Sequence, residues 1–99
     1  MNVAKLLQQA QKAQEQVQRA LGELEVEGSA GGGLVRVRLS GLKELKGISI
    51  DRKALAGEEA GLVEDLVIAA WQEASRLLDE RSRELLGRLG LPAGMPGLA

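Results

Sequence analysis

The stretch Leu24-Glu25-Val26-Glu27-Gly28-Ser29-Ala30-Gly31-Gly32-Gly33-Leu34-Val35-Arg36-Val37-Arg38-Leu39 decides the fold. It begins and ends in runs where apolar and polar residues alternate. That is the period of a strand with one dry and one wet face. The glycine-rich run between them supplies positive φ at low cost and so allows a hairpin. Ile48-Ser49-Ile50 alternates in the same way, and the turn-length gap Gly41-Leu42-Lys43-Glu44 precedes it. The pattern predicts a three-stranded antiparallel meander. Its dry face is expected to be Leu24, Val26, Val35, Val37, Leu39, Ile48 and Ile50, and something must cover it. With residues 30–33 as the loop, Val26 is expected opposite Val37, Glu27 opposite Arg36 and Glu25 opposite Arg38. Those two charge pairs are worth roughly 0.2–1 kcal/mol each.

Upstream, residues 3–24 read as a helix. Val3, Leu6, Ala10, Ala13, Val17, Ala20 and Leu24 are spaced three and four apart, as a heptad seam. The seam holds mostly small residues, which suits close approach to a partner helix or to the protein body. Gly22 weakens the last turn, and the helix is expected to end near it. Lys5, Lys12 and Arg19 fall one heptad apart and line a single stripe away from the seam.

Downstream of Asp51, Arg52-Lys53-Ala54-Leu55 predicts a short helical turn, and Gly57 and Gly61 delay the next helix. From Leu62 to Leu86 the helical period is clear. Val63, Leu66, Val67, Ala70, Ala74, Leu77 and Leu78 share the face that should cover the sheet. Trp71 sits at the edge of that stripe, as a core or dimer contact. Ile68 lies well off it, which suggests a second contact surface. Beyond Leu78 the same face becomes Arg81, Glu84 and Arg88, so the helix should outrun the sheet. The chain therefore divides into one domain over residues 1–90 and a flexible tail over 91–99, where Pro92, Gly94, Pro96 and Gly97 prevent a helix.

Ninety-nine residues with one Trp, no Phe and no Tyr can bury only a small aliphatic core, which favours oligomerisation. The absence of Cys and His removes thiol and imidazole metal sites, Ser-His and Cys-His catalysis and any disulfide framework. The adjacent carboxylates Glu58-Glu59, Glu64-Asp65 and Asp79-Glu80 diverge by about 100° on a helix and cannot converge on one atom. The run Gly28-x-x-Gly31-Gly32-Gly33 is neither a dinucleotide fingerprint nor a phosphate loop. No enzyme, metal, cofactor or small-molecule substrate is expected. No apolar run reaches membrane-spanning length, and a cytoplasmic protein with no membrane partner is expected. The net charge is −1, but it is unevenly spread. Residues 1–22 carry Lys5, Lys12 and Arg19 against Glu15, and residues 34–53 carry six basic side chains against Glu44 and Asp51. Residues 54–99 carry four basic and eight acidic side chains. A basic first helix and sheet can mark a polyanion-binding face.

Gly33-Leu34-Val35-Arg36-Val37-Arg38-Leu39-Ser40-Gly41, Ile48-Ser49-Ile50-Asp51 and Leu62-Val63-Glu64-Asp65-Leu66-Val67-Ile68-Ala69-Ala70 together resemble the YbaB/EbfC family of bacterial nucleoid-associated proteins. The Gln-rich first helix and the Gly-Leu-Pro-x-Gly-Met tail are similar too. Arg52 stands where that family usually has Pro. The resemblance implies an α+β fold, helix–three-stranded antiparallel sheet–long helix, in an intertwined homodimer with helical arms. It also implies binding to double-stranded DNA in the nucleoid, with an influence on gene expression and no catalytic residues. The DNA-contacting side chains are then expected to be Lys5, Lys12 and Arg19 on the first helix and Lys43, Lys46 and Arg52 at the turns. Arg36 and Arg38 are secondary, because their expected partners dilute their charge. Contact is expected through phosphates, with little sequence discrimination. The alternative from the residues alone is a protein-interaction module whose first helix docks a partner protein, with indirect DNA association.

Overall fold

The computed structural model describes residues 2–90. Five elements follow in order: α1 (Val3–Glu23), β1 (Glu25–Ala30), β2 (Val35–Ser40), β3 (Leu45–Ile50) and α2 (Ala60–Arg88). The strands form one antiparallel sheet in the order β1-β2-β3. This is the expected α+β meander between two helices. No helix among these residues is long and apolar enough to cross a membrane. The proposed tail, residues 91–99, lies outside the described residues.

The principal core lies between α2 and the inner face of β1 and β2. Val26, Val35, Val37 and Leu39 from the sheet meet Ala70, Ala74 and Leu78 from α2, with Leu55 from the turn before α2. The α2 face read from the period is the face that packs. Its small residues matter. A Cβ on Gly28 would overlap the backbone of Ala70 and Ala74, so α2 lies directly on β1 there. Gly41 plays the same part at the other end of the sheet, where a Cβ would strike the backbone of Leu21.

Three expectations need correction. The β1–β2 register is displaced by two residues. Val26 pairs with Leu39, and Val37 faces Gly28. The cause is that β1 continues through Gly28-Ser29-Ala30, which leaves Gly31, Gly32 and Gly33 for the turn at φ 65°, 70° and 96°. A shift of two keeps every side chain on its face, so the dry face survives. The ion pairs survive as diagonal neighbours, with Arg36–Glu27 at 3.9 Å and Arg38–Glu25 at 3.2 Å.

Second, β3 begins at Leu45 and includes a register shift opposite Arg38 and Leu39. Third, its dry face is not covered. Ile48 pairs with Val37 and Ile50 with Val35, yet they are 45% and 39% exposed. The same holds for Leu45 opposite Leu39. α2 packs on β1 and β2 and leaves the third strand bare.

α2 does outrun the sheet. It passes Leu24–Glu27 at Leu77 and Arg81. It then reaches α1, where Leu86 and Leu85 close a second, smaller core with Val17 and Leu21.

Candidate nucleic-acid interface

α1 is built to stand out from the body. Asn2 caps it, its side-chain oxygen accepting from the Lys5 backbone N–H at 3.2 Å. Good helix formers carry it for 21 residues, about 31 Å. Only Val17 and Leu21 are buried, and every residue from 3 to 16 is exposed. Among the described residues the heptad seam therefore meets a partner only at its C-terminal end. Lys5, Lys12 and Arg19 are exposed and enter no ion pair among the described residues. One heptad of helix advances about 10 Å, so the three charges form a row along the helix.

The turn cations are held differently. Ser40 is buried, and its hydroxyl accepts from the backbone N–H groups of Leu42 and Glu44, each at 3.2 Å. Its carbonyl accepts from the Lys43 N–H at 2.9 Å. These bonds fix a turn in which Lys43 takes φ 64°, a left-handed conformation unusual outside glycine. Ser40 thereby presents Lys43 to solvent. Alternation in β2 could not reveal this role, because Ser40 reads as an ordinary wet-face residue. Arg52 sits in the turn after β3. The Asp51 carboxylate accepts from the Ala54 N–H at 3.1 Å, and buried Leu55 anchors the turn to the core.

Lys46 is less available, since Glu44 lies 3.3 Å from its Nζ. Arg36 and Arg38 are paired with Glu27 and Glu25 on the wet face of the sheet. The Arg38 guanidinium also lies over Gly47 of β3. The charges thus sort into a row on α1, two exposed turns, and a sheet face that is largely self-neutralised.

The acidic count of the second helix conceals three further cations. Arg81, Arg83 and Arg88 lie in the last two turns of α2 against the single carboxylate of Glu84, and all are exposed. The end of α2 that packs on α1 is therefore basic. Summing charge over residues 54–99 averaged this away, whereas a window of one or two turns shows it. Arg76, earlier on the same helix, is different. It donates to Glu73 at 2.8 Å and to Glu80 at 2.9 Å. The hydrogen bond from Arg76 holds the Glu73 carboxyl below its ordinary range, and Glu73 in turn raises Arg76. That arginine is already satisfied.

Two apolar features complete the surface. A groove of about 310 Å³ is lined by Leu39, Lys43, Trp71, Ser75, Leu78 and Asp79. Trp71 is 42% exposed in it, and Ile68 lies open one turn earlier. Among the described residues no group of carboxylates is placed to hold a metal ion.

A helical arm with Lys5, Lys12 and Arg19 exposed thus stands on a small sheet. Residues 1–93 match the model of the YbaB/EbfC DNA-binding family, and the chain belongs to that family. A nucleoid-associated protein of Xylella fastidiosa is 48% identical over 96% of this chain and 90% of its own length. A nucleoid-associated protein of Xanthomonas campestris is 48% identical over 95% of this chain and 93% of its own. An uncharacterized protein of Helicobacter pylori has a similar fold in its crystal structure. It superposes with a TM-score of 0.71 over 90% of this chain and 97% of its own, at 23% identity.

Proposed function

We propose that this protein is a non-enzymatic, nucleoid-associated homodimer that holds duplex DNA by its phosphates, with little sequence discrimination. The observation that carries the reading is the row of Lys5, Lys12 and Arg19, exposed and unpaired among the described residues, on an arm that stands clear of the core. From Lys5 to Arg19 the row advances fourteen steps, about 21 Å of helix. That equals the rise of about six base pairs at 3.4 Å each. Lys43 and Arg52 add charge at the turns, and Arg83 and Arg88 add it along α2. Lys46, Arg36 and Arg38 contribute less because their carboxylate partners already occupy them.

Base reading by aromatic stacking is absent from the scheme. The chain has no Phe or Tyr, and its one Trp lines the groove against Leu39 and Leu78. Contacts to phosphate position a protein without reading sequence. The homodimer is supported by the bare dry face of β3. Leu45, Ile48, Ile50, Trp71 and Ile68 are large apolar side chains that a single copy leaves exposed, as interaction surfaces do. A second copy against that face would bury it and place two basic arms on one particle.

The test is a fluorescence-anisotropy titration onto a labelled duplex of arbitrary sequence at several salt concentrations. The three arm cations of each protomer alone give six phosphate contacts and a slope of log K against log salt of about −5, which contacts at the turns and along α2 only steepen. The slope should be the same on unrelated sequences. No binding at low salt would overturn the reading in favour of a partner protein docked on α1.

A further inference from the structure

Every residue of α1 from 3 to 16 is exposed, so the direction of the arm has to be set at its root. One contact there comes from α2, where Leu85 and Leu86 bury Val17 and Leu21. A rod held from one side can still rock. A second contact comes from the turn between β2 and β3. The backbone of Gly41 lies so close to that of Leu21 that a Cβ on Gly41 would overlap the Leu21 carbonyl. The Gly41 N–H donates to the Leu24 carbonyl at 2.9 Å. The Leu42 side chain reaches Gly22, where an added Cβ would meet it at 3.7 Å, an ordinary contact distance. Gly22 lies about 100° round the helix from Leu21. The two contacts therefore hold α1 from different sides.

The turn is stiff enough for this task. The Ser40 N–H donates to the Glu44 carbonyl and the Lys43 N–H to the Ser40 carbonyl, both at 2.9 Å. The buried Ser40 hydroxyl accepts from the N–H groups of Leu42 and Glu44. Lys43 shows the result. Among the described residues it is the only one besides glycine at positive φ. Such a conformation persists only where the surrounding structure over-determines it.

We propose that the β2–β3 turn is a bracket that fixes the angle of α1 to the sheet, with Gly41 as its positioning residue. From Leu21 to Val3 the helix runs about 27 Å, so a small tilt at Gly41 becomes a large displacement at Lys5. The bracket also carries Lys43, and it thereby holds that cation at a fixed offset from the row on α1. The bracket itself stands on the packing of α1. Its value for binding rests on the DNA reading above.

The chain has no cysteine, so spin labels can be placed cleanly. Gln8→Cys on α1 and Ser29→Cys on β1, both at exposed positions, take one label each. The labelled chain is diluted into an excess of unlabelled protein, so that only distances within one chain are read. The expected result is a single narrow distance. Gly41→Ala in this background should shift or broaden it, because Leu21 has to move. Gly22→Ala, at the same junction but with room for the methyl group, should leave it unchanged. Ser40→Ala removes the acceptor of two turn N–H groups and adds no atom. It should broaden the distance too, and it supplies the reading if Gly41→Ala does not fold. A distribution equal to the parent's in folded Gly41→Ala, or in Ser40→Ala, would overturn the bracket. So would an equal change in Gly22→Ala.

Anisotropy titrations on the same substitutions, without labels, read the consequence for binding. At equal helix content, Gly41→Ala should bind duplex several-fold more weakly than Gly22→Ala. Equal affinities would refute the positioning role. A parent that binds no duplex would instead defeat the DNA reading, and the distances would still decide the bracket.

Discussion

A methyl group on Gly28 has no room. Its Cβ would fall onto the backbone of Ala70 and Ala74, and neither can swing aside as a side chain can. Gly28→Ala must therefore push α2 off β1. The expected loss is about 1–3 kcal/mol, in the range of overpacked cores, read as a lower denaturant midpoint with an unchanged slope. The residue also shows where sequence reading stopped. In the chain, Gly28 looks like part of a glycine-rich turn. Its actual task is set by two alanines more than forty positions away, and nothing local announces it. The charge pairs Glu25–Arg38 and Glu27–Arg36 were legible, because alternation alone puts all four on one face. Their diagonal geometry was not, because it depends on the register that Gly28 alters. These pairs lead to a second prediction. Arg38→Gln removes a half-exposed ion pair and should change stability by less than about 1 kcal/mol. It should leave DNA affinity nearly unchanged, because Glu25 has already offset that charge. Lys12→Gln, with no such partner, should weaken binding on every duplex tested. A larger loss for Arg38→Gln than for Lys12→Gln in parallel titrations would reverse the roles assigned to sheet and arm.

At the scale of elements, the molecule has two cores of unequal weight. The sheet and α2 share the large one, and α1 is tied to α2 by Val17, Leu21, Leu85 and Leu86 alone. Leu86→Ala should cost about 2–3 kcal/mol, the low end for a buried leucine, because a small cluster at the edge can partly collapse. The loss should be local. Amides of α1 should lose exchange protection while those of β2 keep theirs, since local and global openings separate when few contacts join two units. Equal loss in both would mean that α1 and the sheet unfold as one. The existence and order of all five elements were legible from periodicity. Their coverage was not. The seam of α1 and the dry face of β3 read as buried because their patterns are apolar, but a pattern shows which side wants cover and not how far the covering helix extends. α2 meets two strands and the last turns of α1, and it leaves the remainder of both patterns open.

Each chain carries a net charge of −1, so attraction to a polyanion cannot come from overall charge. It has to come from the arrangement: cations on an arm of an elongated body 69 Å long and 18 Å across, with the carboxylates spread over the sheet, the turns and the rest of α2. A lone arm offers three unpaired cations, which supports a salt slope of only about −3. Pairing two arms through β3 doubles it and, by linking them, raises the effective concentration of the second arm once the first has bound. Ile48→Lys separates these contributions. Ile48 is already 45% exposed and outside both cores, so the fold should tolerate the lysine. A charge buried between two copies is a different matter, and it should prevent their association. Light scattering should then give a monomeric mass where the parent gives a dimer. The salt slope should fall from about −5 to about −3, even though the substitution adds a positive charge. If Ile48→Lys remains dimeric and binds more tightly, the bare strand is not the joint. The exposed face of α1 or the Trp71 groove would then have to hold the copies together.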